Sequence, residues 1–107
     1  MFFLIILTTP NYPGKEIKEV KGLVSGSTIQ CKNFGRDIGS AFKNLVGGEM
    51  IAYKEMLDKA KEVAIGRMVK EAESLGANAI ISFTLSTSSI IQGAAEIIAY
   101  GTAVIVE

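Results

Sequence analysis

Apolar and polar positions along the chain follow two rhythms, and the points where one gives way to the other mark the expected elements. The opening run MFFLIILTTP carries the aromatic and β-branched residues Phe2, Phe3, Ile5 and Ile6, which predicts a buried strand ending at Pro10. NYPG then reads as a turn. From Ile17 to Lys32, Val20, Leu23, Val24 and Ile29 stand among Gly22, Gly26, serine and threonine. Glycine inside a strand pattern signals a bend, a bulge or a close backbone approach, so this stretch predicts two short strands or one broken strand.

At Ile38 the period changes. Ile38, Ala41, Phe42, Leu45 and Val46 recur at helical spacing and predict a short helix from about Arg36, closed by Gly47 and Gly48. A second, long helix is predicted from Glu49 to about Leu75, with Gly76 as its stop. On a helical wheel Met50, Tyr53, Leu57, Ala60, Ala64, Met68, Ala72 and Leu75 form one apolar stripe, flanked by Ile51, Ile65 and Val69. Glu55, Lys59, Glu62, Lys70 and Glu73 fall on the opposite, solvent side. Two strands follow: Ala79 to Ser88, where Phe83 and Leu85 alternate with Ser82, Thr84 and Ser86, and Ile97 to Val106, apolar on both faces.

The order strand, strand, helix, helix, strand, strand, without linkers or repeats, describes one α+β domain spanning 1–107. A small, mostly antiparallel sheet carries one short and one long helix, because the sheet must bury a face and the long helix a stripe. The apolar arc of the long helix is wider than one small sheet requires. With 49% hydrophobic residues and a mean hydropathy of +0.35, the surplus apolar surface is expected to be buried against other copies of the same chain.

Composition narrows the function classes. Eleven basic and eleven acidic residues cancel, so no net field draws the chain to nucleic acid or to an anionic membrane. The apolar start lacks a basic leader and a cleavage site and is too short to span a bilayer. One cysteine, Cys31, makes no intrachain disulfide, which fits a reducing cytoplasm. Histidine is absent, and with it the commonest general base at neutral pH and the usual metal ligand. Cys31 without a histidine reads as a small apolar filler rather than a nucleophile, and it cannot make a closed zinc site within one chain. The chain is therefore read as a non-enzyme.

Two polar features stand out. Lys61 falls inside the apolar arc, between Leu57 and Ala64, where a lysine needs a partner or a route for its ammonium to water. Asp58, three residues earlier, is the nearest candidate partner; an ion pair across a subunit boundary with Asp37 or Glu49, or an anion-binding role, are the others. Gly47-Gly48-Glu49 matches neither a P-loop nor a dinucleotide fingerprint, and reads as a turn with Glu49 at the positive end of the long helix.

The runs VGGE (46–49), DKAKEVA (58–64), LGANAI (75–80) and YGTAV (100–104), with Tyr53 and with GRD (35–37) ahead of the first helix, resemble the YbjQ-like family of small bacterial proteins, labelled heavy-metal-binding. The resemblance runs from about Gly22 to Val104. It implies a dodecin-like subunit that assembles into a ring, a pentamer, and it carries no activity with it. Some members have a cysteine where this chain has Lys21, and members often have arginine where it has Lys61. The residues carried over as a polar cluster for a ligand or an interface are Asp37, Glu49, Tyr53 and Lys61.

Two classes of function follow. One is a homo-oligomeric binding or sequestering module that holds a small ligand or cation between subunits, with Asp37 and Glu49 as oxygen ligands or Lys61 as countercharge. The other is a scaffold ring that presents a surface to a larger partner and holds no small molecule.

Overall fold

The structure is a computed structural model that describes residues 4–31, 48–91 and 94–107, with side chains described outside 30–31, 48–53, 89–91 and 95. The elements are β1 (Ile5–Ile6), β2 (Ile17–Cys31), α1 (Gly48–Ser74), β3 (Ala79–Ile91) and β4 (Ala94–Val106). They form a four-stranded sheet in the order β1-β3-β4-β2, antiparallel except for the β1–β3 pair, with α1 lying against β2 and β4. This is the expected α+β arrangement of a mostly antiparallel sheet and a long helix. The predicted short helix from Arg36 lies outside the described residues.

Several boundaries differ from the sequence reading. Among the described residues the first strand is Ile5–Ile6 at a sheet edge, with Ile5 exposed rather than buried, while Phe2 and Phe3 lie outside them. The second is one strand of 15 residues, neither two nor broken, because register shifts between Ile17 and Glu19 and between Val20 and Gly22 absorb the irregularity without ending the ladder. Gly22 has φ of +124°, which a side chain would strain, whereas Gly26 serves a close approach instead. A Cβ at Gly26 would collide with the Ala64 carbonyl oxygen and the Met68 amide nitrogen. The helix backbone therefore rests directly on the strand backbone.

The stripe of α1 explains that contact. Ala60, Ala64, Met68 and Ala72 are fully buried, and three of the four are alanines, so the helix axis comes close to β2. Val24, Ile80, Ile97, Ala99 and Ala103 receive them from the sheet. The stripe ends before Leu75, which is exposed. Gly76, with φ of +82°, closes the helix: its N–H donates to the Glu73 carbonyl at 3.0 Å and that of Ala77 to the Ala72 carbonyl at 3.1 Å, the two bonds of a Schellman cap.

On the opposite face of the sheet a second cluster of Ala79, Ile81, Val104 and Val106 is covered by Tyr12 from the turn and by Ile17. Asn78 fastens it, its side-chain amide donating to the Val106 carbonyl at 3.0 Å and its Oδ1 accepting from the Val106 N–H at 2.8 Å. β3 changes register between Ile81 and Thr84, where Ser82 takes a φ of 53°. The chain after β1 holds this bulge, since the Ser82 and Phe83 amides donate to the Thr9 and Leu7 carbonyls at 2.8 and 2.9 Å.

With a 27-residue helix alongside a 15-residue strand, the molecule is long: 52 × 22 × 21 Å, with a radius of gyration of 16.8 Å. A compact chain of this length would have a radius of gyration of about 13 Å.

Candidate functional site

Three of the four expected polar residues lie on α1, and the fourth, Asp37, is outside the described residues. Glu49 and Tyr53 fall in the first two turns and Lys61 further on, in one uninterrupted helix. At a rise of about 1.5 Å per residue, Glu49 and Lys61 are roughly 18 Å apart along the axis. They are spread along the helix, and one small ion cannot touch both Glu49 and Lys61 in the same copy.

Lys61 sits differently from the sequence reading. Its side chain is exposed, on the flank of the buried row rather than within it. The physical reason is that alanines bring the helix close, so that among the described residues full burial falls on positions 60, 64, 68 and 72, with Val69 beside them and Leu57 and Ile65 half-buried at the margin. Asp58 does not pair with Lys61 either. Its Oδ2 is 3.2 Å from Lys54 Nζ, one turn towards the N-terminus, in an exposed pair that contributes little to stability.

A second candidate surface was not singled out from the sequence: the open face of the sheet beyond the Tyr12 turn. Strand register gives its rows. Leu23 faces Thr102; Ser25, Tyr100 and Thr84 share the next row; Ser27, Ile98 and Ser86 follow; then Ile29, Glu96 and Ser88. Leu23 is 72% exposed, Ile29 56% and Tyr100 38%, so apolar groups stand in water among hydroxyls. Ser88 Oγ donates to Glu96 Oε1 at 3.5 Å. The signal was present in the alternation of β3 and in the small polar residues of β2, which mark a face that no helix among the described residues covers.

Among the described residues no group of three acidic or thiol side chains gathers to hold a metal ion. Among the same residues no helix is long and apolar enough to cross a membrane.

Comparison with known proteins places this geometry in a family. The model of a family described as "Putative heavy-metal-binding" matches residues 4–107. A UPF0145 protein of Clostridium perfringens is 67% identical over 104 residues, covering 97% of this chain and 98% of that one. Another from Clostridioides difficile is 59% identical with 97% and 93% covered, and one from Thermotoga maritima 55% identical with 97% and 98% covered. A crystal structure of a protein of unknown function of the DUF74 family from Pediococcus pentosaceus superposes with a TM-score of 0.62 at 18% identity, covering 97% of this chain and 98% of that one, and so shares the fold. The resemblance in VGGE, DKAKEVA, LGANAI and YGTAV is thus borne out over nearly the whole length, and the chain belongs to the YbjQ family of UPF0145 proteins.

Proposed function

We propose that this protein is a non-enzymatic, homo-oligomeric module of the cytoplasm that holds a small ligand or cation at the boundaries between its subunits. The observation that carries this reading is the spread of polar residues along α1. Glu49 and Lys61 are roughly 18 Å apart on one helix, so residues of one copy acquire a common ligand only when a neighbouring copy brings its own. The family's description supplies the class of ligand, a metal cation. Exposed Leu23, Ile29 and Tyr100, the elongated shape and the dodecin-like resemblance support assembly, with a pentameric ring as the proposed form. In that ring Asp37 and Glu49 act as oxygen ligands and Tyr53 and Lys61 orient or neutralise the bound group.

A second reading, a scaffold ring without a small ligand, is supported by the exposed Leu23, Ile29 and Tyr100, which suit a larger partner. Native mass spectrometry of protein purified without tag or added metal separates the two. Extra mass in fixed proportion to subunits supports the binding module, and a bare ring supports the scaffold. In parallel, calcium, magnesium, manganese or zinc is expected to raise the melting temperature of the native protein, and Asp37→Ala to abolish the rise. No shift with any of the four removes the cation-binding form of the proposal.

A further inference from the structure

The two outer edges of the sheet are finished in different ways. β2 forms one of them, and its exposed backbone is occupied by α1. The Ser25 N–H donates to Glu71 Oε1 at 3.3 Å and Arg67 Nη1 donates to the Ser27 carbonyl at 2.6 Å. Nearer its start, the same edge carries Lys18, Glu19 and Lys21, ion-paired as Glu16–Lys18 and Glu19–Lys21, and two register shifts that twist it. Charges, bulges and covering side chains are the devices by which a sheet edge is closed to other strands.

Between Phe83 and Ser89 the edge of β3 has none of these among the described residues; its next register shift comes only between Ser89 and Ile91. β1 and the residues after it occupy it as far as the Phe83 amide, and among the described residues no backbone group bonds to it further on. Thr84–Ile91 reads TLSTSSII, without a charge, a proline or a glycine, and Thr84, Ser86, Thr87 and Ser88 are exposed. The Phe83 N–H points outward, to Leu7. By the alternation of a strand the peptide groups of Leu85 and Thr87 point outward too, while those of Thr84 and Ser86 pair with Tyr100 and Ile98 of β4. The outward row is therefore a ready set of donors and acceptors, and among the described residues no charge, proline or covering group excludes a strand from it.

We propose that this edge of β3, from Thr84 onward, is completed by an extended strand of a second copy of the chain. The occupant follows from the surroundings. The edge is uncharged, so it offers no complementarity to an acidic or basic peptide. It also borders the open face through Thr84 and Ser86, which pair with Tyr100 and Ile98, so a strand added there would extend the sheet and widen that face. The chain exposes 6553 Å², against about 5,800 Å² for a compact monomer of its mass, which leaves room for the roughly 800 Å² that each partner buries in a standard interface. The inference rests on the assembly half of the proposed function and names where copies meet.

Amide hydrogen exchange on the full-length native protein, read by NMR or by mass spectrometry with residue resolution, tests it together with the native mass. Protection of the Leu85 and Thr87 amides within about tenfold of the Ser86 amide, lost on dilution to monomer, is the expected result. Oligomeric mass with Leu85 and Thr87 exchanging freely overturns the edge contact while leaving assembly intact. Monomeric mass overturns both, and protection that persists in a monomer assigns the cover to the same chain and overturns the second copy as occupant. Thr87→Pro adds a second test. It removes only an outward N–H, which an edge strand tolerates, so it is expected to shift the assembly to smaller species with its circular dichroism unchanged. Assembly of that folded variant at the wild-type concentration overturns the proposal.

Discussion

Under α1 the strands present Val24, Gly26, Ile97, Ala99 and Ala103; on the other side the same stretches present Leu23, Ser25, Ser27, Ile98, Tyr100 and Thr102. The first set is buried and apolar, with Thr28 the one buried polar residue beside it among the described residues, and at Gly26 it lets a helix built on alanines seat its backbone against a strand. The second mixes larger apolar groups with hydroxyls and lies in the open. One face is thus specified by size, because anything larger pushes the helix away. The other is specified by chemistry and leaves room for something to be laid on it. The difference leaves an ordinary two-layer domain with one side uncovered among the described residues.

The sharpest way to break the comparison is at Gly26. A side chain there runs into the helix backbone at Ala64 and Met68 rather than into the far end of a flexible side chain, so Gly26→Val must displace α1. The expected loss is about 3 kcal/mol or more, the upper end for overpacking, measured by urea denaturation with the helical circular dichroism as the readout. Unchanged stability would mean that the helix does not sit on β2 at this point.

The next effect separates backbone geometry from packing. Ser82 is a non-glycine residue at φ of 53°, in the bulge that Thr9 and Leu7 hold. Ser82→Val places a β-branched side chain in that left-handed region and is expected to cost about 1–2 kcal/mol. Ser82→Gly removes the penalty and leaves stability equal or raised by about 0.5 kcal/mol. Thermal unfolding of the two variants side by side distinguishes a conformational cause, in which they move apart, from simple loss of the serine hydroxyl, in which they fall together.

Sequence legibility divides along the same line. The long helix, its Gly76 stop, its charged outer side and the last two strands are written in periodicity, and the family in short ordered motifs such as LGANAI and YGTAV, so both were readable. The bulge at Ser82 was not, because nothing in the string ISFT sets φ; Leu7 and Thr9 do so from more than seventy residues away. Lys61 misled because a wheel shows which residues share an arc, whereas the width of the buried arc is decided by how near the sheet comes. Arg67 and Glu71 look like solvated helix charges in sequence, and only the crossing of α1 over β2 turns them into bonds to Ser27 and Ser25. Of the expected polar strip, the placement of Glu49, Tyr53 and Lys61 on one helix was legible; Asp37 stands outside the described residues.

The smallest effect sharpens the comparison most. Leu23 is 72% exposed in the single chain, so Leu23→Thr, which introduces a β-branched strand former, removes almost no burial there. If the open face stays bare, stability changes by no more than about 0.5 kcal/mol, as at other surface positions. If a second copy lies on that face, Leu23 is buried in the assembly and its removal weakens each contact by about 1.5–3 kcal/mol. The readout is the protein concentration at which the assembly falls apart, followed by native mass or light scattering. A tenfold or larger rise in that concentration, with an unaltered unfolding midpoint in the dissociated chain, places the side chain between copies. An unchanged dissociation concentration restricts the contact to the strand edge and leaves this face to water or to a ligand.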